Sequence, residues 1–490
     1  MVHSWLTHHG VQSSSISKTH GGNWLTLTGV PVSQANGLLG ASYKLYQQAG
    51  TNDAPILRTV SYALPTVLHA HVKTVAPTTF FASTRTLQQT PQIVSVGNAE
   101  ALAKVAPREP VTALSGRDSF VPDSVLPDTL RWMYNAYAYE PESPSQNVLG
   151  IVGYMDELPS PEDLSRFMSV FREDAQSATF SSDLVDPGDD YNGQYAMEAN
   201  LEMQYAQAIA FPTQHTYYAT RRDNLIWSAN DDEPDEGDAF LVWMRYVFSE
   251  PTLPQTIMTS VGVYERSVPP DYADAVCELF AKLGTGGVSV LSSSGDQGVG
   301  PQNCKDNSGN EQFMPKFPST CMCDVFSLFS SSTQAHCLPQ RYCFAGPFVT
   351  SVGGTTNSYP EVAASLSGGG FSNYFARPEY QDVAFTPFFN RIGNDNQGLY
   401  KFVSSVCRPD LFLSCAFVFF CSPGGRGIPD ISAQALNYVV VFNTKYFLIN
   451  STNCATTVRL AFPSLRPWSS VPEHTADRQC TDRGRYNLAS

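Results

Sequence analysis

The sequence is short of positive charge: 30 Lys and Arg stand against 45 Asp and Glu, a formal net charge of −15 over 490 residues. Nucleic-acid binding needs clustered cations against phosphate, so no nucleic-acid partner is expected. Long apolar runs are missing too. None approaches the roughly 18 residues of a membrane span, and no membrane partner is expected. The opening "MVHSWLTHHG" has no basic start followed by an apolar core, so no signal peptide is visible. Cysteine pairs at zinc spacing are absent, although the chain holds eleven cysteines. Cys323, Cys337 and Cys343 crowd one stretch, and Cys407, Cys415 and Cys421 another. A Cys304–Cys321 bridge is expected if the protein is exported. His8, His9, His20, His69 and His71 lack cysteine or carboxylate at ligand spacing and read as surface or fold residues.

What is present is a globular chain, 42% hydrophobic, too long for one ordinary core. Residues 1–76 read as a compact α+β unit: "NWLTLTGVPVSQANGLLGASYKLYQ" passes from strand alternation to helical spacing, and "PTVLHAHV" opens a helix with Pro. Residues 77–125 hold no sustained period and read as an exposed linker with a processing site. From 126 strands such as "NVLGIVGYM" alternate with helices such as "SPEDLSRFMSVFRED", Ser-capped at its start. That alternation predicts an α/β fold, a mostly parallel sheet with helices on both faces, and a site at the C-terminal strand ends.

Few residues offer chemistry. Glu198 and Glu202 stand at i and i+4 in "YAMEANLEMQYAQAIAF" and share one helix face. Exposed, they are merely solvated; buried, they share protons, one pKa rises, and they form a general base with a partner. Asp296, in the turn of "VSVLSSSGDQGVG", is either a cap or a carboxyl donating to an oxyanion. Gly368, Gly369 and Gly370 make either a mobile loop or backbone that an extended peptide can approach. Asp430, after Pro429, is a cap or a hard-cation ligand. The run "NDDEPDEGD" reads as a solvated loop, and "NST" at Asn450 is a weak glycosylation sequon.

"EANLEMQY", "SSSGDQGVG", "FVTSVGGTT", "LSGGGFSNYFARPEYQ" and "RGIPDISAQA" occur in one order and at characteristic spacing. Together they resemble the sedolisin family of acid serine peptidases, in its fungal tripeptidyl-peptidase branch. The resemblance covers most of 1–320 and then patches to about 456, and residues 1–76 resemble the back part of the family's propeptide. It implies a subtilisin-like fold after a small ferredoxin-like propeptide remnant, and a secreted monomer acting on polypeptide substrates, with its own propeptide as a partner. It implies a Ser-Glu-Asp triad with Glu198 as general base and Asp296 as oxyanion donor. Glu202 stands where the family has Asp. Asp430 and the Ile431 carbonyl match the first half of a Ca2+ site whose Gly-x-Gly-x-Asp half has no counterpart here.

The nucleophile is the departure. "STNCAT" aligns Asn453 with the family's serine, and an amide cannot serve in that role. Ser451, two residues away, is expected to point elsewhere. The resemblance therefore implies a peptidase lineage with little or no activity in this chain; the competing readings are a peptide-binding pseudoprotease and a product that does not fold. Stretches 322–345 and 403–422 interrupt otherwise family-like text and read as translated introns, with real insertions in a diverged, inactive homologue as the alternative. The peptidase-like domain is expected to span 126–456, with 457–490 a divergent tail lacking helical period.

Overall fold

The computed structural model describes residues 1–18, 24–47, 55–81, 91–97, 124–139, 141, 144–154, 157–185, 193–220, 239–300, 311–322, 348–357, 360–392 and 424–462. The crowded cysteine stretches (323–345 and 403–422), most of the linker, "NDDEPDEGD" and residues 463–490 lie outside these.

The N-terminal unit is α+β. Helices Val2–His8 and Val32–Leu39 accompany two antiparallel strand pairs, Ile16–Lys18 with Leu25–Leu27 and Lys44–Tyr46 with Ile56–Arg58. Leu6, Val11, Leu38 and Leu39 form its small core. The helix expected at "PTVLHAHV" is only a 3-10 turn, Thr66–Leu68.

The large domain is built on strands β1 (Val148–Gly153), β2 (Ser181–Val185), β3 (Gln214–Thr220), β4 (Thr256–Thr259), β5 (Ser289–Ser293), β6 (Val349–Thr356) and β7 (Val362–Ala363). In space the order is β7-β6-β5-β4-β1-β3-β2, parallel except for the short β7. Strand β8 (Ile431–Gln434) adds in parallel beside β6. Helices α1 (Pro161–Phe171), α2 (Met197–Ala210) and α3 (Pro270–Thr285) cover the sheet. Its two faces carry two cores, one containing α2 and the other α3. Both faces are covered, so β1 reads as a continuous apolar run rather than an alternating one.

Hairpin Tyr438–Phe442 and Lys445–Asn450 packs on α2 and feeds the helix α4, Thr452–Ala461. Its turn residues Asn443 and Thr444 both have positive φ, 49° and 64°, as a two-residue hairpin turn with the right twist requires. Polar side chains of the buried α2 hold it: Gln204 both donates to the Val441 carbonyl (2.7 Å) and accepts from its N–H (3.0 Å), so it acts as a strand partner would.

Three boundaries differ from expectation. Val125 is fully buried and its N–H bonds the Asn437 carbonyl at 2.6 Å, so the large domain includes residues before 126. Within the linker, Gln92–Gly97 pairs antiparallel with Lys445–Asn450, satisfying an edge that would otherwise be open. At the other end α4 runs through Ala461, past the supposed start of the tail, with every residue buried. A helix enclosed on all sides shows no amphipathic period, and its Arg459 is matched by the Ser432 carbonyl at 2.7 Å.

The disulfide is Cys277–Cys321, not Cys304–Cys321; Cys304 lies outside the described residues. It ties α3 to the segment after Lys316 and closes a separation of 44 residues. We expect Cys277→Ser to cost roughly 2–5 kcal/mol of stability, measured by denaturant unfolding. Reductant should lower the midpoint of the unaltered chain and leave that of the variant unmoved.

Candidate active site

The site forms where β5 ends and α4 begins. Asp296 lies just past β5 and reaches the first turn of α4 from across the sheet. Its Oδ1 accepts from the Thr452 N–H (2.6 Å) and hydroxyl (2.7 Å), and its Oδ2 accepts from the Ser451 hydroxyl (2.8 Å). Ser451 is also the N-cap of α4 and accepts from the Asn453 N–H at 3.1 Å. Ser451 thus faces Asp296 rather than Glu198, as expected. Burial raises the Asp296 pKa, and the three α4 contacts and Lys316 oppose that rise. In this structure Asp296 accepts from, and so caps, a helix distant in sequence.

Asn453 points the other way. Its amide donates to Glu198 Oε1, so the structure joins the nucleophile position to the expected base. The Asn453 Oδ1 is buried with no hydrogen-bond partner among the described residues. Glu198 is half-buried, and Glu202, one turn on, is only 1% exposed. Burial lifts Glu198 well above the usual carboxylate range; Glu202, Glu157 and Asp296 add to this, and the Asn453 amide opposes it. Burial pushes Glu202 up to about 8, against the opposing hydroxyl of Ser260. Glu202 Oε1 has no hydrogen-bond partner among the described residues. The solvated-face alternative for this pair is thereby removed.

The glycine run serves the Asp296 loop. Gly368 N–H donates to the Gly295 carbonyl (2.5 Å), and Gly369 N–H to the Gly298 carbonyl (3.2 Å). A Cβ on Gly368 would lie 2.0 Å from the Ser294 carbonyl oxygen, so no other residue fits there. Gly370 opens strand Gly370–Ala376 and pairs with Ile428.

Asp430 does not fit the calcium reading. Its carboxylate already accepts from Arg426 Nη2 (2.5 Å), the Ser351 N–H (2.8 Å), the Tyr380 hydroxyl (3.1 Å) and Gln381 Nε2 (3.3 Å). Arg426 is fully buried and supplies the positive charge a metal would bring. Ile431 begins β8 opposite Val352. Among the described residues no group of three His, Cys, Asp or Glu could hold a metal ion.

Sequence reading missed two contributors. Glu157, in "MDEL", raises the pKa of both glutamates. Lys316 presses on Asp296 from the segment before Phe317. Neither sits in a helix-face or loop pattern that would mark it.

An N-terminal α+β unit thus precedes a parallel α/β scaffold in which a carboxylate pair faces the N-terminus of an inner helix. Residues 1–81 match the pro-kumamolisin activation domain. The chain is similar to tripeptidyl-peptidase SED2 of Arthroderma otae, 32% identical over 446 residues, covering 89% of this chain and 65% of that protein. It is likewise similar to tripeptidyl-peptidase sed4 of Aspergillus fumigatus, 31% identical over 441 residues, covering 87% and 64%. Pseudomonas sedolisin complexed with two molecules of pseudo-iodotyrostatin aligns with a TM-score of 0.44 at 18% identity, over 69% of this chain and 78% of that one. These likenesses point to the sedolisin family, in its fungal tripeptidyl-peptidase branch. The chain spans just under two thirds of the length of these two curated relatives.

The raised glutamate pKa values give a pH dependence of definite sign. Between the unfolded value near 4.3 and the folded value, the native state holds protons that the unfolded chain has released. That stability is complete below the unfolded pKa and falls as pH rises toward about 8 for Glu202. The slope is at most about 1.4 kcal/mol per pH unit for one group. Unfolding free energies across this range should decline with pH, and Glu202→Gln should flatten the decline.

Proposed function

We propose that this chain carries the peptide site of an acid serine tripeptidyl-peptidase, one that engages the free N-termini of polypeptides, with its catalytic serine replaced by Asn453. The observation that carries the reading is the Asn453–Glu198 hydrogen bond at the start of α4. It sets the residue at the nucleophile position in direct contact with the group that would take a proton from a serine there. A serine hydroxyl at 453 would be activated by Glu198, with Glu202 as the second carboxyl. An amide forms no acyl intermediate, so the chain as it stands binds peptide without turning it over at an enzymatic rate.

The Cys277–Cys321 bridge supports an oxidising compartment and hence export. Among the described residues no helix is long and apolar enough to cross a membrane. The N-terminal unit supports a zymogen role. It docks on α3 through Tyr62 to Asp271 (2.7 Å), Lys73 to Glu278 (2.5 Å) and the Phe80 ring stacked on Tyr272.

The test is restoration. Asn453→Ser should release tripeptides from a peptide amide at acid pH at least roughly 100-fold faster than the unaltered chain. Adding Glu202→Asp should raise the rate further, by up to roughly 100-fold if the extra methylene misplaces the carboxyl by about an ångström. Ser451→Ala in the restored chain should keep its activity within severalfold. A restored chain that still releases nothing would sink the reading.

A further inference from the structure

Lys316 lies beside this site, and the proposed chemistry makes no use of it. It belongs to the short strand Lys316–Phe317, which pairs antiparallel with Val263–Tyr264. Its side chain is buried, 8% exposed, and its stem passes over Gly295. Gly295 holds φ at +103°, and a Cβ there would come within 2.8 Å of Lys316 Cγ, so the loop is shaped around this lysine.

The ammonium is poorly matched where it ends. It sits 4.4 Å from the centre of the Tyr264 ring, and its hydrogen bond among the described residues is a long one, 3.4 Å to the Gly262 carbonyl. An ammonium carries three donors. Asp296 is the negative charge that acts on it, while its two oxygens accept from Ser451 and Thr452 and not from the ammonium. Burying a cation with unfilled donors is costly unless a partner arrives. The cover is side chain rather than backbone: the Tyr264 hydroxyl donates to the exposed Gln297 amide oxygen.

We propose that Lys316 is a specificity residue, whose ammonium takes the carboxylate of an aspartate or glutamate at the third position of the bound peptide. This rests on reading the Asn453 site as a tripeptidyl site. On that reading the third residue's carbonyl would meet residue 453, and Lys316 is the cation that acts on neighbouring Asp296. A carboxylate there fills the open donors and replaces the Tyr264–Gln297 contact.

The experiment uses the full chain and fluorescent peptides that differ only at the third residue: Glu, Gln or Ala. Binding is read by anisotropy near pH ~6, where the glutamate is ionised and the lysine protonated. The Glu peptide is expected to bind at least about tenfold tighter than the Gln peptide. Lys316→Met should abolish that preference, and Lys316→Arg should retain it. Equal affinities for Glu and Gln, or a preference that survives Lys316→Met, overturn the inference. Tripeptide release by Asn453→Ser separates the two ideas: cleavage without preference for a third-position acid ends this inference and leaves the peptidase reading standing. No binding of any peptide and no release overturns both.

Discussion

A helix enclosed on every side must satisfy its first N–H groups without water, and α4 meets that demand through Asp296. The first turn of Thr452–Ala461 has neither solvent nor an acidic residue of its own to cap it. Asp296 arrives from the end of β5 and accepts from the Thr452 N–H, while Ser451 accepts from that of Asn453. Negative charge at a helix N-terminus also suits the helix dipole. Sheet, loop and inner helix are fixed together at that point. The glycine run is fixed with them, because Gly368 and Gly369 donate to the carbonyls on either side of Asp296.

The same contact shapes the chemistry. A carboxyl that accepts three hydrogen bonds is held toward its charged form, yet burial pushes the other way. On the opposite side of α4, withdrawal from solvent raises the pKa of both Glu198 and Glu202. Asn453 lies between these two carboxylate environments. Its amide satisfies Glu198 but leaves its own oxygen without a partner, an arrangement in which a hydroxyl would fit with less unmet polarity.

Calcium and arginine present the same physical alternative at Asp430. The sequence "RGIPDISAQA" cannot distinguish a carboxylate awaiting a metal from one already neutralised. The fold decides it, since Arg426 runs inward from the preceding strand and places its guanidinium on Asp430, with the Ser351 N–H completing the set.

The sequence by itself determined the alternation of strands and helices, the placing of Glu198 and Glu202 on one face, and the turn carrying Asp296. These depend on periods of two and 3.6 and on local turn chemistry, which neighbouring residues set. Only the tertiary structure decided that the glutamates are buried, that Asp296 caps α4, that Cys277 rather than Cys304 meets Cys321, and that α4 continues to Ala461. It alone brought Glu157 and Lys316 to the site. Each of these depends on contacts between segments far apart in the chain, and burial, partner and charge environment are properties of such contacts rather than of any local pattern.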